Sequence, residues 1–375
     1  MNHDKTLREK LLQRSEGNLL RELQVADGLI DFCSNDYLGF ARSEKLAEQI
    51  VSAKVDGVIN LVGSGASRLI SGNNHLIERI ESEVAEFVAA EDALIFNSGY
   101  SANLSFFGCV PQRGDVVFYD ELIHASIRDG IKLGLARSYS FNHNSIEDLK
   151  SKIATISPSG SVFVVVESIY SMDGDSPDLI RFANYCFDNG LHLVVDEAHS
   201  FGLIGENGRG MVSDLKLEHK TYARIITFGK ALGCHGAVIV GSRDLRSYMI
   251  NFARPFIYTT ALSIHDQKAV HLGLKKLRAL NFKQLNLFRL LQVFNDGAGN
   301  AGLQAIPSAG AIRSILIPGN SRAKMMEQKL FSKGFWVKAI LSPTVPEGKE
   351  RIRICLHEFN TRSEVEKLIK CICDE

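Results

Sequence analysis

The chain has 375 residues, 45% hydrophobic and 23% charged, with 43 basic side chains balancing 43 acidic ones. Such a length predicts two domains burying roughly 75% of the surface of the unfolded chain. The composition excludes a disordered or fibrous protein, and zero formal charge gives no footprint for nucleic acid or an anionic membrane. Seven cysteines are scattered without a C-x-x-C pair, which predicts free thiols in a reducing cytoplasm and no metal site. No apolar run is long enough for a bilayer span, and the charged start MNHDKTLREK does not read as a secretory leader.

In chain order, residues 1–44 read as an N-terminal arm, with Leu7, Leu11, Leu12, Leu19, Leu20 and Leu23 set among charges. From 45 to 275, short β-branched runs alternate with helical patterns. The strands are expected at Ala93–Phe96, Val116–Tyr119, Val162–Val166, Leu191–Val195, Arg224–Phe228 and Ala237–Val240, with helices at His75–Val88 and Leu179–Asn189. Several strands are apolar throughout, as in a mainly parallel sheet buried on both faces, so the class is α/β. Residues 276–375 read as a smaller α+β domain, with helices over 275–293 and 321–333 and strands at Ile312–Ile317, Trp336–Ile340 and Arg351–Leu356.

Chemistry-bearing residues gather where strands end, the place where open α/β sheets bind ligands. LHLVVDEAHSFGLIG ends a strand on Asp196, Glu197 and His199. An aspartate there can keep a heterocyclic nitrogen protonated, although an Asp-Glu pair also suits a helix N-terminus. RIITFGKALGCHG sets Lys230 among small residues between two apolar runs. Desolvation would favour the neutral amine that Schiff-base chemistry needs, while a surface turn is the plainer alternative. Thr227 can offer its hydroxyl to a phosphate. FNSGYSAN opens a helix after a strand, so the N–H groups near Gly99 and Tyr100 can cradle a phosphate. Arg68 in GSGASR occupies the place of a third glycine, and neither region carries a P-loop lysine, so no dinucleotide or ATP site is expected. His124 follows one strand, Glu167 and Ser171 close another, and Arg351 and Arg353 lie on one face of a third, suited to carboxylates.

Taken together, the segments SNDYLGF, GSGASRLISG, SGYSAN, HAS, ESIYSMDGD, DEAHSFGLIGENGRG, TFGKALGCHGA and PTVPEGKERIRICL resemble the α-oxoamine synthases, fold-type-I enzymes that use pyridoxal 5′-phosphate. The resemblance runs over nearly the whole chain and implies a large cofactor-binding domain followed by a small C-terminal one. It matches Lys230 to the lysine that carries the cofactor as an aldimine and Asp196 to the acid paired with the pyridine nitrogen. His199 matches the histidine near the phenolic oxygen, and His124 the one stacked on the ring. Gly99, Tyr100 and Thr227 match phosphate contacts, and Glu167 and Ser171 fall in the same pocket. Thr259 and Thr260 match a phosphate contact given across a dimer interface. Asn35 and Arg353 match the pair that recognises the amino-acid carboxylate, while Arg21 and Thr344 match substrate contacts. Leu341, Ser342, Ala66 and Phe201 depart from common family residues, and the first two bear on the acyl substrate.

The implied reaction is a decarboxylative, Claisen-type condensation of an amino acid with an acyl thioester, run by a cytoplasmic homodimer with a shared active site. Within the family the likeness is greatest to the members that join L-alanine to a pimeloyl thioester, on coenzyme A or acyl carrier protein, in biotin synthesis. Members that pair glycine with acetyl-CoA or serine with a long-chain acyl thioester are the alternatives, since one methylene discriminates by only ~1–3 kcal/mol. A non-catalytic partner subunit is a further alternative, and the presence of Lys230 weighs against it.

Overall fold

A computed structural model describes residues 3–17, 19–55 and 62–374. The strands, in chain order, are β1 (Ile30–Asp31), β2 (Asp92–Phe96), β3 (Val116–Asp120), β4 (Arg137–Phe141), β5 (Val162–Glu167), β6 (His192–Asp196), β7 (Ala223–Thr227), β8 (Ala237–Gly241), β9 (Ile312–Leu316), β10 (Phe335–Trp336), β11 (Lys338–Ile340) and β12 (Arg351–Cys355).

The chain divides into two compact units. The larger comprises Asn35–Ser171 and Asp175–Leu285, and it holds a seven-stranded sheet in the order β2-β8-β7-β6-β5-β3-β4. Neighbours from β7 through β4 pair in parallel, and β8 runs antiparallel to both β7 and β2. This mainly parallel sheet is the α/β architecture expected from the unbroken apolar runs. The pleat sorts the core into two layers. Phe163 and Val165 of β5 pack on one face with Phe106 and Ile127, while Val162, Val164 and Val166 pack on the other with Leu179 and Phe182.

Helix starts follow the local chemistry of the chain. The side chains of Asn74, Ser98, Ser263 and Thr361 accept from backbone N–H groups of the first turn, supplying partners that a helix start lacks.

The smaller unit comprises Met1–Ser34, Met172–Gly174 and Asn286–Glu375. Its antiparallel sheet has the order β11-β12-β9, and β1 pairs in parallel with β10. The units change over after Ser34 and Leu285, and the β1–β10 pairing joins the end of the arm to the C-terminal residues.

Three local expectations change. The helix expected over 275–293 is two helices, Ile264–Arg278 and Asn286–Asn300, with a 3₁₀ turn at Phe282–Gln284 between them. The stretch Trp336–Ile340 is split between β10 and β11. The polar strand β4, RSYSF, escapes an apolar-run criterion because four of its five residues are exposed at the sheet edge. Among the described residues no helix is long and apolar enough to cross a membrane, and no His, Cys, Asp and Glu group is placed to hold a metal.

Candidate active site

Because β8 is antiparallel to both β7 and β2, β2 runs the same way as β3 to β7. Their carboxyl ends bring the Ser98–Gly99 turn, Asp120, Glu167, Asp196 and Thr227 to one edge of the sheet. The β7–β8 connection adds Lys230 there. This connection lies hard against the SNDYLGF segment: Gly233 has φ +61°, and a Cβ on it would stand 2.2 Å from the Ala41 nitrogen. Glycine is required there.

Two hydrogen-bonded chains organise the edge. In the first, the Lys230 Nζ lies 2.7 Å from His199 Nε2, and His199 Nδ1 lies 2.7 Å from the Tyr37 hydroxyl. That hydroxyl donates to Asn35 Oδ1 at 3.2 Å. With Lys230 donating, the network assigns the His199 proton to Nδ1. Tyr37 is fully buried and His199 nearly so, which fixes the imidazole beside the amine.

In the second chain, the Asn103 side-chain amide donates to Asp196 Oδ2 at 3.2 Å and to Ser126 Oγ at 2.9 Å. Ser126 Oγ meets His124 Nδ1 at 2.7 Å, and the Ser126 N–H also donates to that nitrogen. His124 Nδ1 is therefore an acceptor, with the ring proton on Nε2. Asp196 Oδ1 accepts from the Ala198 N–H at 2.9 Å. Desolvation lowers the proton affinity of His124, the Asp196 charge opposing it. Glu167 accepts the His124 N–H at 2.6 Å; burial and the Asp196 charge push its carboxyl well above the usual carboxylate range.

The phosphate-type positions cluster separately. A Cβ at Gly99 would stand 3.7 Å from both Cβ and Oγ1 of Thr227, which places the start of that helix beside the threonine hydroxyl. The Tyr100 side chain points away and donates to Asp129. Asn97 donates to the Thr260 carbonyl at 2.7 Å and to Thr259 Oγ1 at 3.4 Å, which places both threonines beside the end of β2. Ser171 is half-buried at the end of the ESIYS segment. Arg353, Thr344 and Arg21 lie in the smaller unit: Arg353 is buried on β12 opposite Lys338 and Ser314, and the other two are exposed. Tyr37, Asn103 and Ser126 were not singled out by sequence reasoning, although each sits inside a quoted motif.

The set combines an amine beside an imidazole, a buried carboxylate held by neutral donors, and a helix start next to a threonine hydroxyl. Comparison with known proteins agrees with that chemistry. The family described as aminotransferase class I and II matches residues 27–372. The 8-amino-7-oxononanoate synthase of Saccharophagus degradans is 37% identical, covering 92% of this chain and 86% of its own. A solved 8-amino-7-oxononanoate synthase from Francisella tularensis superposes with a TM-score of 0.78 at 30% identity, over 92% of this chain and 97% of that one. The serine palmitoyltransferase of S. paucimobilis, solved with a pyridoxal phosphate–myriocin aldimine, superposes at 0.88 with 25% identity, over 99% and 96%. The chain belongs to the class I and II aminotransferase family and, within it, to the pyridoxal-phosphate-dependent α-oxoamine synthases.

Proposed function

We propose that this protein condenses L-alanine with a pimeloyl thioester, releasing carbon dioxide and the free thiol and forming 8-amino-7-oxononanoate for biotin synthesis. The observation that carries the choice among α-oxoamine synthases is the 37% identity, over 92% of the chain, to a synthase of that activity. The identity to serine palmitoyltransferase structures is 25%.

The residues fit pyridoxal 5′-phosphate by the chemistry of their donors. Lys230 offers the amine for covalent attachment, Asp196 an anion for the ring nitrogen, His124 a ring face, and His199 an imidazole beside the phenolic oxygen. The Gly99–Tyr100 backbone, Thr227 and, from a second protomer, Thr259 and Thr260 would hold the phosphate. Once bound, the cofactor supplies an electron sink for charge developing at the substrate Cα.

The chain's own groups do the rest. Lys230 Nζ takes the Cα proton of the bound amino acid and later returns one, a positioned transfer that typically contributes ~10²–10⁴-fold. His199, held by Tyr37, keeps that amine aimed. Asp196 accepts from the Asn103 amide and the Ala198 N–H, neutral donors that orient it for the ring nitrogen. His124 Nε2–H can donate to the thioester oxygen as it gains charge. Asn35 and Arg353 would hold the amino-acid carboxylate until it is lost.

The protein acts as a cytoplasmic homodimer in this reading. Leu69, Ile70 and Tyr258 stand exposed on two segments joined by the Ala261 N–H bond to the Ala66 carbonyl at 3.0 Å, an apolar surface that suits an interface. All seven cysteines are free thiols, as a reducing compartment allows.

The test is a product assay. The cofactor-loaded protein receives L-alanine with pimeloyl-CoA or the pimeloyl carrier-protein thioester, serine with palmitoyl-CoA, and glycine with acetyl-CoA. Mass-detected 8-amino-7-oxononanoate with matching thiol release is the expected result. Release driven only by another pair would replace the substrate assignment and leave the family standing.

A further inference from the structure

Neighbouring strands β3, β5 and β6 end on Asp120, Glu167 and Asp196, all buried, and Asp175 follows nearby in the chain. The mechanism above leaves Asp120 without a role. Against it stands His143, two residues beyond β4. Its Nδ1 is 2.9 Å from Asp120 Oδ1, and its Nε2 is 2.7 Å from Asp175 Oδ2. Both ring nitrogens thus face carboxylate oxygens, which only accept when ionised, so the ring carries both protons. Burial opposes that charge, but the hydrogen bonds and charges of Asp120 and Asp175 outweigh it and lift the imidazole to about 9. Tyr170 packs edge-on at 4.5 Å between ring centroids, and the Glu121 side chain accepts the His143 N–H.

Asp120 in turn shapes the active site. Its Oδ1 accepts from the Leu122 N–H at 2.8 Å and its Oδ2 from the Asn144 N–H at 2.7 Å. Its carbonyl accepts the Ile123 N–H at 3.1 Å. These bonds close the turn that ends at His124, whose own N–H is held by Glu167. A continuous path therefore runs from Asp175 through His143 and Asp120 to the residue that would cover the cofactor ring. Because β3, β5 and β6 are neighbours in the sheet, Asp120, Glu167 and Asp196 stand side by side along the strand ends that also present Lys230, and a charge placed against Asp120 acts on that edge.

We infer that His143 is a positioning residue of this site: an imidazolium clamped between Asp120 and Asp175 that fixes the turn presenting His124 and offsets the negative charge beside Lys230. A purely structural staple would also use these bonds, but it would not tune the amine. The inference rests on the reading that Lys230 carries pyridoxal phosphate.

The visible band of the loaded protein reports ionisation at Lys230, and it is titrated from about pH 6 to about pH 10 in wild type, H143Q and D175N. H143Q removes a positive charge, so the midpoint rises by about half a pH unit. D175N removes a negative charge on the same path while the Asp120 bond still holds the imidazolium, so the midpoint falls, by less. Opposite signs support the inference; shifts of the same sign, or none, overturn it. Should H143Q fail to fold, D175N decides alone, a fall supporting the role and an unmoved or raised midpoint overturning it. A wild-type protein with no visible band overturns the cofactor reading instead, and the role of His143 with it.

Discussion

Asp196 and Glu197 are adjacent in the chain and both buried, yet they are built for different work. Glu197 is answered by the Arg224 guanidinium, the Val212 N–H at 2.9 Å and the Ser200 hydroxyl at 3.1 Å. Arg224 spends its remaining donors on the Val88 and Arg209 carbonyls and the Ser213 hydroxyl. Asp196 is held by the Asn103 amide and the Ala198 N–H, both neutral. The same contrast separates Glu81, clamped by Arg68 and Arg246, from Glu167, which holds a backbone N–H and is pushed toward its protonated form. A buried carboxylate locked to arginine staples the fold, whereas one held by neutral donors keeps charge or proton affinity available for a bound molecule.

Four substitutions break or sharpen that contrast, the largest effect first. Lys230→Ala should lower turnover by at least ~10³-fold while cofactor binding stays measurable and the unfolding midpoint stays put. Steady-state activity near wild type would refute the site. Arg224→Met should act in the other column, costing about 3–5 kcal/mol in denaturant unfolding because Glu197 is left buried without its cation. An unchanged unfolding midpoint would show that the pair is no staple. Asp196→Asn removes the charge and keeps the shape, so kcat should fall by about 10–100-fold with little change in stability, the size of a charge-assisted hydrogen bond. A loss appearing in the unfolding curve rather than in kcat would move Asp196 to the structural column. Tyr37→Phe should cost up to about tenfold in kcat, since one neutral hydrogen bond to His199 is lost. Its effect should vanish in a His199→Ala background if the two act as one unit.

Much of the fold was readable before the structure. The β-branched runs announced the sheet because strands buried on both faces need apolar side chains at every position, and the motifs pointed to Lys230, Asp196, His199 and His124 as the proposed site. Strand β4 was hidden, as its exposed residues at the sheet edge carry no apolar signal. The break at Phe282–Gln284 was hidden too, because apolar residues recur across it at helical spacing. Tyr37 is an ordinary aromatic until the fold brings it to His199, 162 residues away in sequence. His143 depends on Asp120 and Asp175, at separations of 23 and 32. Residues proposed to act directly carry a chemical signature in sequence, whereas partners such as Tyr37 and His143 are found only through tertiary contact.

The central claim is that the β7–β8 connection presents the lysine that binds the cofactor. Purified protein would be loaded with pyridoxal phosphate, reduced with borohydride, digested and mapped by mass spectrometry. The account predicts a phosphopyridoxyl group on Lys230 and its loss in Lys230→Ala. A label on another lysine, or none, would contradict it.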